Sequence, residues 1–239
     1  MVAAAALREE NVVAAHAAAL SRSEVIARYR ILREISKRHH SKVLDFLSPD
    51  AIFHHGRRLG LLVGKTFVLD NMDDLNLAFD LAIRTAPAGR SRAIDRYANA
   101  ARLAPGSDEA LVLDAMCRAR FAIVRIERRH AAAGLIVKDV IRRISYWLVD
   151  EGLESSVPDG LIFATRLYTP EGFSMTAGVN VPLDPQLIRA ALADVPQLRR
   201  KSPAEVSDDR RFAEAIYRLA LASGVMERVA YRDPGDEAG

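Results

Sequence analysis

The block of strand-like sequence between residues 119 and 183 constrains the fold of this chain more than any other feature. The turns within it are short, and Pro158-Asp159-Gly160 closes the one longer loop. Five such strands in meander order predict a small antiparallel sheet or a partly closed barrel. The segments are rich in β-branched and aromatic residues and span 120–128, 134–141, 144–150, 161–168 and 172–181.

Helical patterns precede this block. An alanine-rich amphipathic helix is expected at residues 3–20, and a longer helix begins near Ser21, with Glu24 placed for a capping box. Ser48-Pro49 is expected to end that helix, because a residue before proline disfavours the helical conformation. Its apolar stripe consists of Val25, Tyr29, Leu32, Ile35, Val43 and Phe46. Further helices are expected from Asp73 to about Thr85, from Ser91, and after Ser107.

Helical patterns return after the strands. Asp184-Pro185 and Ser202-Pro203 each combine an N-cap residue with proline at the first helical position, and Gly224 stops the second of these helices. The sequence therefore predicts an α+β fold with three parts. These are a helical region at 1–118, a small antiparallel β module at 119–183, and C-terminal helices with a tail at 184–239.

The segments ARFAIVRIERR, GLIVKDVI, YWLVDEGLE, PDGLIFATRL and FSMTAGVNVPLD carry a resemblance. Together, over residues 119–184, they resemble a β-rich module of uncharacterised bacterial proteins, some of which also carry a cysteine-rich SEC-C metal motif. That motif is absent here, so no zinc role is implied. The whole chain resembles uncharacterised alphaproteobacterial proteins. The resemblance implies a fold and a bacterial origin, and it implies no activity.

Composition limits the compartment and the class of protein. Hydrophobic residues make up 50% of the 239 residues, which is enough for a sizeable core. No apolar run reaches the ~18–20 residues that span a bilayer, so we expect no membrane partner. Arg8, Glu9 and Glu10 interrupt the apolar N-terminus, which argues against a signal peptide. A single cysteine, Cys117, excludes an internal disulfide, and we expect a cytoplasmic location.

The segment RRLGLLVGKT, at residues 57–66, superficially matches a phosphate-binding loop. The match fails because the first glycine of such a loop belongs at position 59, where Leu59 stands, and Gly60 is one residue too close to Gly64. No buried strand precedes the segment and no helix pattern follows it. We therefore expect a turn that leads Val63–Leu69 into the core, and no nucleotide cofactor.

Two histidine pairs, His39-His40 and His54-His55, raise the alternative of a transition-metal site. Adjacent residues on a helix point about 100° apart, and no cysteine or carboxylate stands beside either pair at ligand spacing. Capping, packing or solvated roles therefore explain the pairs better, with His39 partly buried beside the apolar stripe. We predict no metal site and no cofactor.

Positive charge is concentrated between residues 22 and 65. This stretch holds ten Lys and Arg against four Asp and Glu, a net charge of +6, whereas the whole chain carries +3. A basic face of this kind contacts nucleic-acid phosphates in many proteins, although no helix-turn-helix or other defined motif supports it here. The candidate nucleic-acid-binding residues are Arg30, Arg33, Lys37, Arg38, Lys42, Arg57, Arg58 and Lys65.

The β module offers two further alternatives. Aromatic residues such as Tyr146 and Trp147 could stack bases, although core packing accounts for most of them, and these two must face opposite sides of their strand. Carboxylates at the strand ends and in the long loop could act as a hydrolase acid and base: Asp139, Asp150, Glu151 and Asp159.

The sequence as a whole favours a cytoplasmic bacterial binding or regulatory protein over an enzyme. Its expected ligand is nucleic acid, bound through the basic segment. The first alternative is a module that binds a protein partner or forms a homo-oligomer through its helix faces. The second is a hydrolase-type enzyme that uses the carboxylates of the β module.

Overall fold

The structure is a computed structural model and describes residues 21–87 and 89–228. The helix expected at residues 3–20 lies outside the described residues. Within them the chain has an α+β fold with nine α-helices and one curled antiparallel sheet, as the sequence predicts. None of the described helices has both the length and the apolar character needed to cross a membrane.

The first helices follow from their caps. Helix α1 (Arg22–Leu44) begins at Ser21, which forms the expected capping box with Glu24, and it buries the predicted stripe from Val25 to Val43. Phe46, the last residue of that stripe, lies beyond the helix and is half-buried. Ser48-Pro49 ends no helix but starts helix α2 (Pro49–Leu59), with Ser48 as N-cap and proline at the first position. The sequence prediction missed α2 because it took this start signal for a stop signal.

The segment RRLGLLVGKT spans the end of α2 and a small hairpin. Gly60 ends α2 in the left-handed conformation, with φ of 82°. Strands β1 (Leu62–Val63) and β2 (Thr66–Phe67) then pair across the two-residue turn Gly64-Lys65, and Gly64 has φ of 65°. Residues 57–66 therefore form a helix end and a hairpin, and neither the strand nor the helix of a phosphate-binding loop flanks them. The expectation that Val63–Leu69 enters the core is wrong in part, because Val63 and Val68 are exposed while Phe67 and Leu69 pack against the core.

Three more helices complete the N-terminal part. Helix α3 (Met72–Arg84) starts at a capping box of Asn71 and Asp74. Helix α4 (Ala93–Ala100) has Arg92 at its N-cap position without a capping side-chain hydrogen bond. Helix α5 (Asp108–Cys117) is capped by Ser107. All three lie within the segments that the sequence predicts to be helical.

The sheet contains six strands, which are β3 (Arg120–Arg129), β4 (Leu135–Asp139), β5 (Ser145–Leu148), β6 (Ile162–Tyr168), β7 (Met175–Thr176) and β8 (Val181–Leu183). Their spatial order is β5-β4-β3-β6-β7, with β8 also paired to β6. The predicted meander therefore holds only for the first three strands. The chain then passes through helix α6 (Glu151–Ser156), and β6 pairs with β3 on its other side.

The predicted fifth strand is split into β7 and β8. Both pieces pair with β6, but residues 177–180 interrupt the ladder opposite Thr165 and Arg166, where the Ala177 amide still donates to the Arg166 carbonyl at 2.8 Å. Gly178 lies in this interruption with φ of 100°, a conformation that glycine adopts without the steric cost of a side chain. An extra length of chain in one strand bends a sheet, and this sheet curls accordingly.

The curl brings the two ends of the sheet together. The Val149 amide donates to the Ser174 carbonyl at 2.9 Å, and the Ser174 amide donates to the Trp147 carbonyl at 2.7 Å. These bonds link the end of β5 to the residues just before β7. The sheet is therefore a partly closed barrel, and its interior contains Ala122, Val124, Ile126, Leu135, Val137, Leu148, Leu153, Phe163 and Leu167.

The last helices are α7 (Pro185–Asp194), α8 (Pro203–Asp208) and α9 (Arg210–Ala222), with 3₁₀ turns at Pro196–Arg200 and Val225–Arg228. The sequence predicts one helix from 203 to 223, but Asp209 interrupts it and caps α9. The outer face of the barrel carries two apolar clusters. One packs mainly on α3, α7 and α9, and the other packs on α1, α4 and α5.

A buried ion pair connects helix α3, strand β6 and helix α9. Arg166 of β6 donates from Nε to both Asp80 oxygens at 3.0 and 3.1 Å. Tyr217 of α9 donates its hydroxyl to Asp80 Oδ2 at 2.9 Å. All three residues are buried, so Asp80 on α3 fixes the positions of β6 and α9.

Candidate functional site

The structure pairs most cations of the predicted basic segment with carboxylates. Arg30 contacts Glu151 at 2.7 Å and Lys37 contacts Glu34 at 2.6 Å. Arg33 instead is half-buried and donates to the Thr176 carbonyl at 2.6 Å. On this side of α1 the candidate residues therefore have partners within the protein already.

Two of the remaining candidate residues also contact a carboxylate. Arg38 lies 3.4 Å from Glu109, and Arg58 donates from Nε to Glu214 at 2.6 Å. Lys42, Arg57 and Lys65 are exposed and have no carboxylate partner among the residues that the structure describes.

The acids that balance this segment come from elsewhere in the chain. Besides Glu109, Glu151 and Glu214, the partners are Glu154 for Arg22 and both Asp108 and Glu171 for Arg28. The count of +6 along the sequence is therefore largely compensated in three dimensions. A tally of charges by position cannot reveal this, because all these partners except Glu34 are 71 to 156 residues away from the cation that they contact.

The first histidine pair is divided between two environments. His39 is buried, and its two ring nitrogens contact the Tyr97 hydroxyl at 2.7 Å and the Glu109 carbonyl at 3.0 Å. Burial lowers the pKa of His39. His40 is half-buried, and burial together with nearby Arg84 lowers its pKa to about 4. Among the described residues no group of three or more metal-ligating side chains could hold a metal ion.

The carboxylates of the β module do not meet. Asp139 accepts from the Ile141 and Arg142 amides and pairs with the Arg142 side chain at 3.1 Å. Asp150 caps α6 and accepts from the Thr176 hydroxyl. The remaining two carboxylates form ion pairs with arginines, Glu151 with Arg30 and Asp159 with Arg129. Each of the four therefore has a structural contact, and they form no acid–base pair.

The aromatic residues of the β module also have structural contacts. Tyr146 packs against the barrel interior and Trp147 against the outer cluster, so the two face opposite sides as predicted. The Trp147 indole donates to the Ala133 carbonyl at 2.7 Å, and its ring stacks on His130 at 4.2 Å. Phe163, Tyr168 and Phe173 are buried, so they offer no stacking surface to a base.

A groove with three arginines is the most distinctive open site in the described part of the chain. We call it the arginine groove. It is a cavity of about 710 Å³ between the start of α2, the segment that links α3 to α4, and the first residue of α9. Small-molecule and cofactor sites have volumes of about 300–1,000 Å³. Its arginines are Arg90, Arg96 and Arg210.

None of these three arginines has a carboxylate partner among the described residues. Arg96 donates to the Phe46 carbonyl at 2.6 Å and to the Ser91 carbonyl. Arg210 donates to the Ala86 carbonyl at 3.0 Å. Asp50 is the one carboxylate in the lining, and it forms no ion pair with them. The groove therefore has an excess of positive charge.

The start of α4 adds to this positive potential, whereas Ser48 caps α2 and the Asp209 carboxylate caps α9. The groove is lined by Ser48 and Asp50 at the start of α2, by Ala93 at the start of α4, and by Arg210 at the start of α9. The N-terminus of a helix carries a partial positive charge and amides that point outward. Because Arg92 does not cap α4, the amides of its first turn have no side-chain acceptor at the N-cap.

A smaller cavity of about 130 Å³ adjoins the groove, and the two share the wall residues His54, His55, Thr85 and Arg210. We call it the His55 pocket. His55 is buried, and burial together with neighbouring cations lowers its pKa to about 4. Arg58 and Glu214, which are paired with each other, complete one side of the pocket.

Sequence reasoning missed most of this site. Arg90, Arg96 and Arg210 lie in two separate segments of the sequence, and neither segment stands out as a run of like charges. The proline-initiated helix at Ser48-Pro49 and the Asp209 N-cap are the local signals that could have placed two of the three helix ends. Their convergence depends on how α3 and α9 pack, which the sequence pattern does not specify.

A protein-family model described as "Family of unknown function (DUF7986)" matches residues 23–229. The match covers α1 to α9, and hence every residue of the arginine groove and of the His55 pocket. No curated protein and no solved structure matches the chain.

Proposed function

We propose that this chain, which belongs to the family of unknown function DUF7986, is a binding protein that holds phosphate groups of a nucleic-acid strand in the arginine groove. The observation that carries the proposal is the presence, in one cavity of about 710 Å³, of three arginines that have no carboxylate partner in the described part of the chain. Guanidinium groups bind phosphate oxygens in a bidentate geometry, and helix N-termini also favour negatively charged ligands.

The groove supports this function better than α1 does. Arg30, Lys37 and Arg38 must break ion pairs before they can contact a phosphate, and Arg33 is held by a backbone carbonyl. To contact a phosphate, the groove arginines lose only hydrogen bonds to neutral carbonyl groups. A hydrogen bond from an arginine to a charged phosphate is stronger than one to a carbonyl. Lys42, Arg57 and Lys65 could extend the contact along the surface, because they are exposed and without carboxylate partners in the described chain.

Neutralising the groove tests the proposal. We expect Arg90→Gln/Arg96→Gln/Arg210→Gln to weaken binding of a labelled single-stranded oligonucleotide by about tenfold or more, measured by fluorescence polarisation. A matched control is Arg189→Gln/Arg199→Gln/Arg200→Gln, which removes three exposed arginines that line no part of the groove and likewise have no carboxylate partner within residues 21–87 and 89–228. Equal losses in both variants would mean that only net charge matters.

A third variant separates the groove from the basic segment. Arg30→Gln/Lys37→Gln/Arg38→Gln removes cations that are already paired on α1. We expect the affinity of this variant for the oligonucleotide to lie within about twofold of the wild-type affinity, because cations that are paired and screened at the surface attract a ligand only weakly. If this variant loses binding and the groove variant keeps it, the ligand binds along α1 instead.

A second function, docking of a protein partner, has its own observation. Four large apolar side chains are exposed on the hairpin and the adjoining helices: Phe53, Val63, Val68 and Met72. Val63 is 70% exposed, which is unusual for valine and is typical of an interaction surface. We expect Val63→Lys/Val68→Lys to abolish any self-association seen by analytical ultracentrifugation, without affecting nucleic-acid binding.

The proposal includes three attributes suggested by sequence alone. They are an alphaproteobacterial origin, a cytoplasmic location, and the relation of residues 119–184 to the β-rich module that sometimes accompanies a SEC-C motif. The single cysteine supports a reducing compartment. We also propose that the chain divides into three parts, at residues 1–118, 119–183 and 184–239.

A further inference from the structure

The hydrogen bonds of His55 define which of its ring nitrogens carries a proton. The Thr85 hydroxyl has one proton, and it donates this proton to the Leu81 carbonyl at 2.7 Å. Toward His55 Nε2, at 3.0 Å, the same hydroxyl oxygen must therefore accept. Nε2 is the protonated nitrogen.

Nδ1 of His55 consequently holds a lone pair when the ring is neutral. Burial and the nearby Arg58 and Arg210 keep the pKa of His55 low, so the ring is neutral at physiological pH. Nδ1 is buried and has no hydrogen-bond partner among the described residues. A buried acceptor without a donor costs free energy, and a ligand with a donor would recover it.

The other groups around the pocket define the chemistry of that donor. Arg58 and Arg210 supply N–H donors, whereas Glu214 supplies a carboxylate of which only Oε1 accepts from Arg58. A phosphate inside the pocket would meet the Glu214 charge and the Nδ1 lone pair, and both would repel it. A hydroxyl group suits the pocket because it donates to Nδ1 or Glu214 and accepts from an arginine.

The pocket and the groove share His55 and Arg210, so one ligand can occupy both. We propose that the His55 pocket receives a ribose 2′-hydroxyl of the strand whose phosphates lie in the arginine groove, so that the protein selects RNA over DNA. The inference rests on the proposed function. The 2′-hydroxyl is the group by which proteins distinguish the two nucleic acids.

The test compares three oligonucleotides of one sequence at low salt by fluorescence polarisation: RNA, 2′-fluoro RNA and DNA. The 2′-fluoro strand keeps an RNA-like sugar pucker but has no proton to donate. We expect the wild type to bind RNA on the order of tenfold more tightly than 2′-fluoro RNA, the effect of one buried hydrogen bond. DNA is expected to bind no more tightly than the 2′-fluoro strand.

Two variants test the assignment to His55. His55→Gln keeps an N–H that can donate to Thr85 and removes the Nδ1 acceptor, so it should bind RNA and 2′-fluoro RNA equally. His130→Gln changes a histidine that lines neither the pocket nor the groove and should keep the preference. Circular dichroism establishes that each variant is folded, and the wild-type comparison of RNA with 2′-fluoro RNA requires no variant.

The outcomes separate this inference from the proposed function. If all three strands bind equally and binding depends on the groove arginines, the inference is overturned and the proposed function stands. If no strand binds, both are overturned. If the preference for RNA persists in folded His55→Gln, the 2′-hydroxyl is recognised elsewhere and the inference is also overturned.

Discussion

Replacing Asp80 with asparagine should destabilise the fold more than most single substitutions. Asp80 is the carboxylate that balances the buried guanidinium of Arg166, and it also accepts the Tyr217 hydroxyl. A second buried guanidinium, Arg84, lies nearby and donates only to the Met116 carbonyl at the end of α5. Burial lowers the pKa of Arg84 to about 10, so it remains charged at neutral pH.

The expected cost of Asp80→Asn is about 3–5 kcal/mol, because the substitution leaves Arg166 as an uncompensated buried charge. The presence of Arg84 places the value toward the upper end of that range. For a chain of this size the cost corresponds to a lowering of Tm of about 10 °C. Guanidinium unfolding followed by Trp147 fluorescence gives the free energy of unfolding directly.

Two comparisons make the result interpretable. Asp114→Asn breaks an exposed pair with Arg118 and should cost less than about 1 kcal/mol. Asp80→Leu/Arg166→Met removes both charges of the buried pair and should recover much of the loss. If Asp80→Asn lies within about 1 kcal/mol of the wild type, the buried pair does not hold β6 and α9 in place.

Two further predictions concern backbone and pH. Gly134→Ala should cost on the order of 1–3 kcal/mol, because Gly134 has φ of 78° and a Cβ would lie 2.3 Å from the Leu148 carbonyl oxygen. Gly152→Ala, on α6, should leave Tm within a few degrees, because a Cβ there would make an ordinary contact of 3.5 Å with Asp150 Oδ1. Stability should also fall between pH 6.5 and 4. His40 and His55 have pKa values of about 4 in the folded chain and ordinary values of 6.5. As the pH decreases, the unfolded chain therefore binds protons on these histidines before the folded chain does, and the free energy of unfolding decreases. Thermal unfolding at a series of pH values checks this, and a Tm that is constant down to pH 4 would contradict it.

Local signals in the sequence predicted much of the fold. The capping box at Ser21 and the three-to-four spacing of apolar residues located α1 and its buried face. Alternation along the strands placed Tyr146 and Trp147 on opposite sides, and Gly178 lies in the interruption of the last strand. These features depend on residues that are near one another in the chain, where patterns are informative.

Features that depend on distant contacts were not predictable in this way. Strand β6 pairs with β3 rather than β5 because α6 carries the chain over the barrel and buries Leu153 in its interior. The charge of the basic segment is balanced by acids far along the sequence, such as Glu151 and Glu214. The arginine groove exists only after α2, α4 and α9 have packed, so no local pattern marks it.

The salt dependence of binding measures how many phosphates the arginine groove holds. If Arg90, Arg96 and Arg210 each contact one phosphate, they should contribute about −2 to the slope of log K for a single strand against log salt concentration, at about 0.7 per phosphate. In Arg90→Gln/Arg96→Gln/Arg210→Gln we predict a slope that is shallower by about 2 than in the wild type. A slope that is the same in this variant and in the wild type would contradict it.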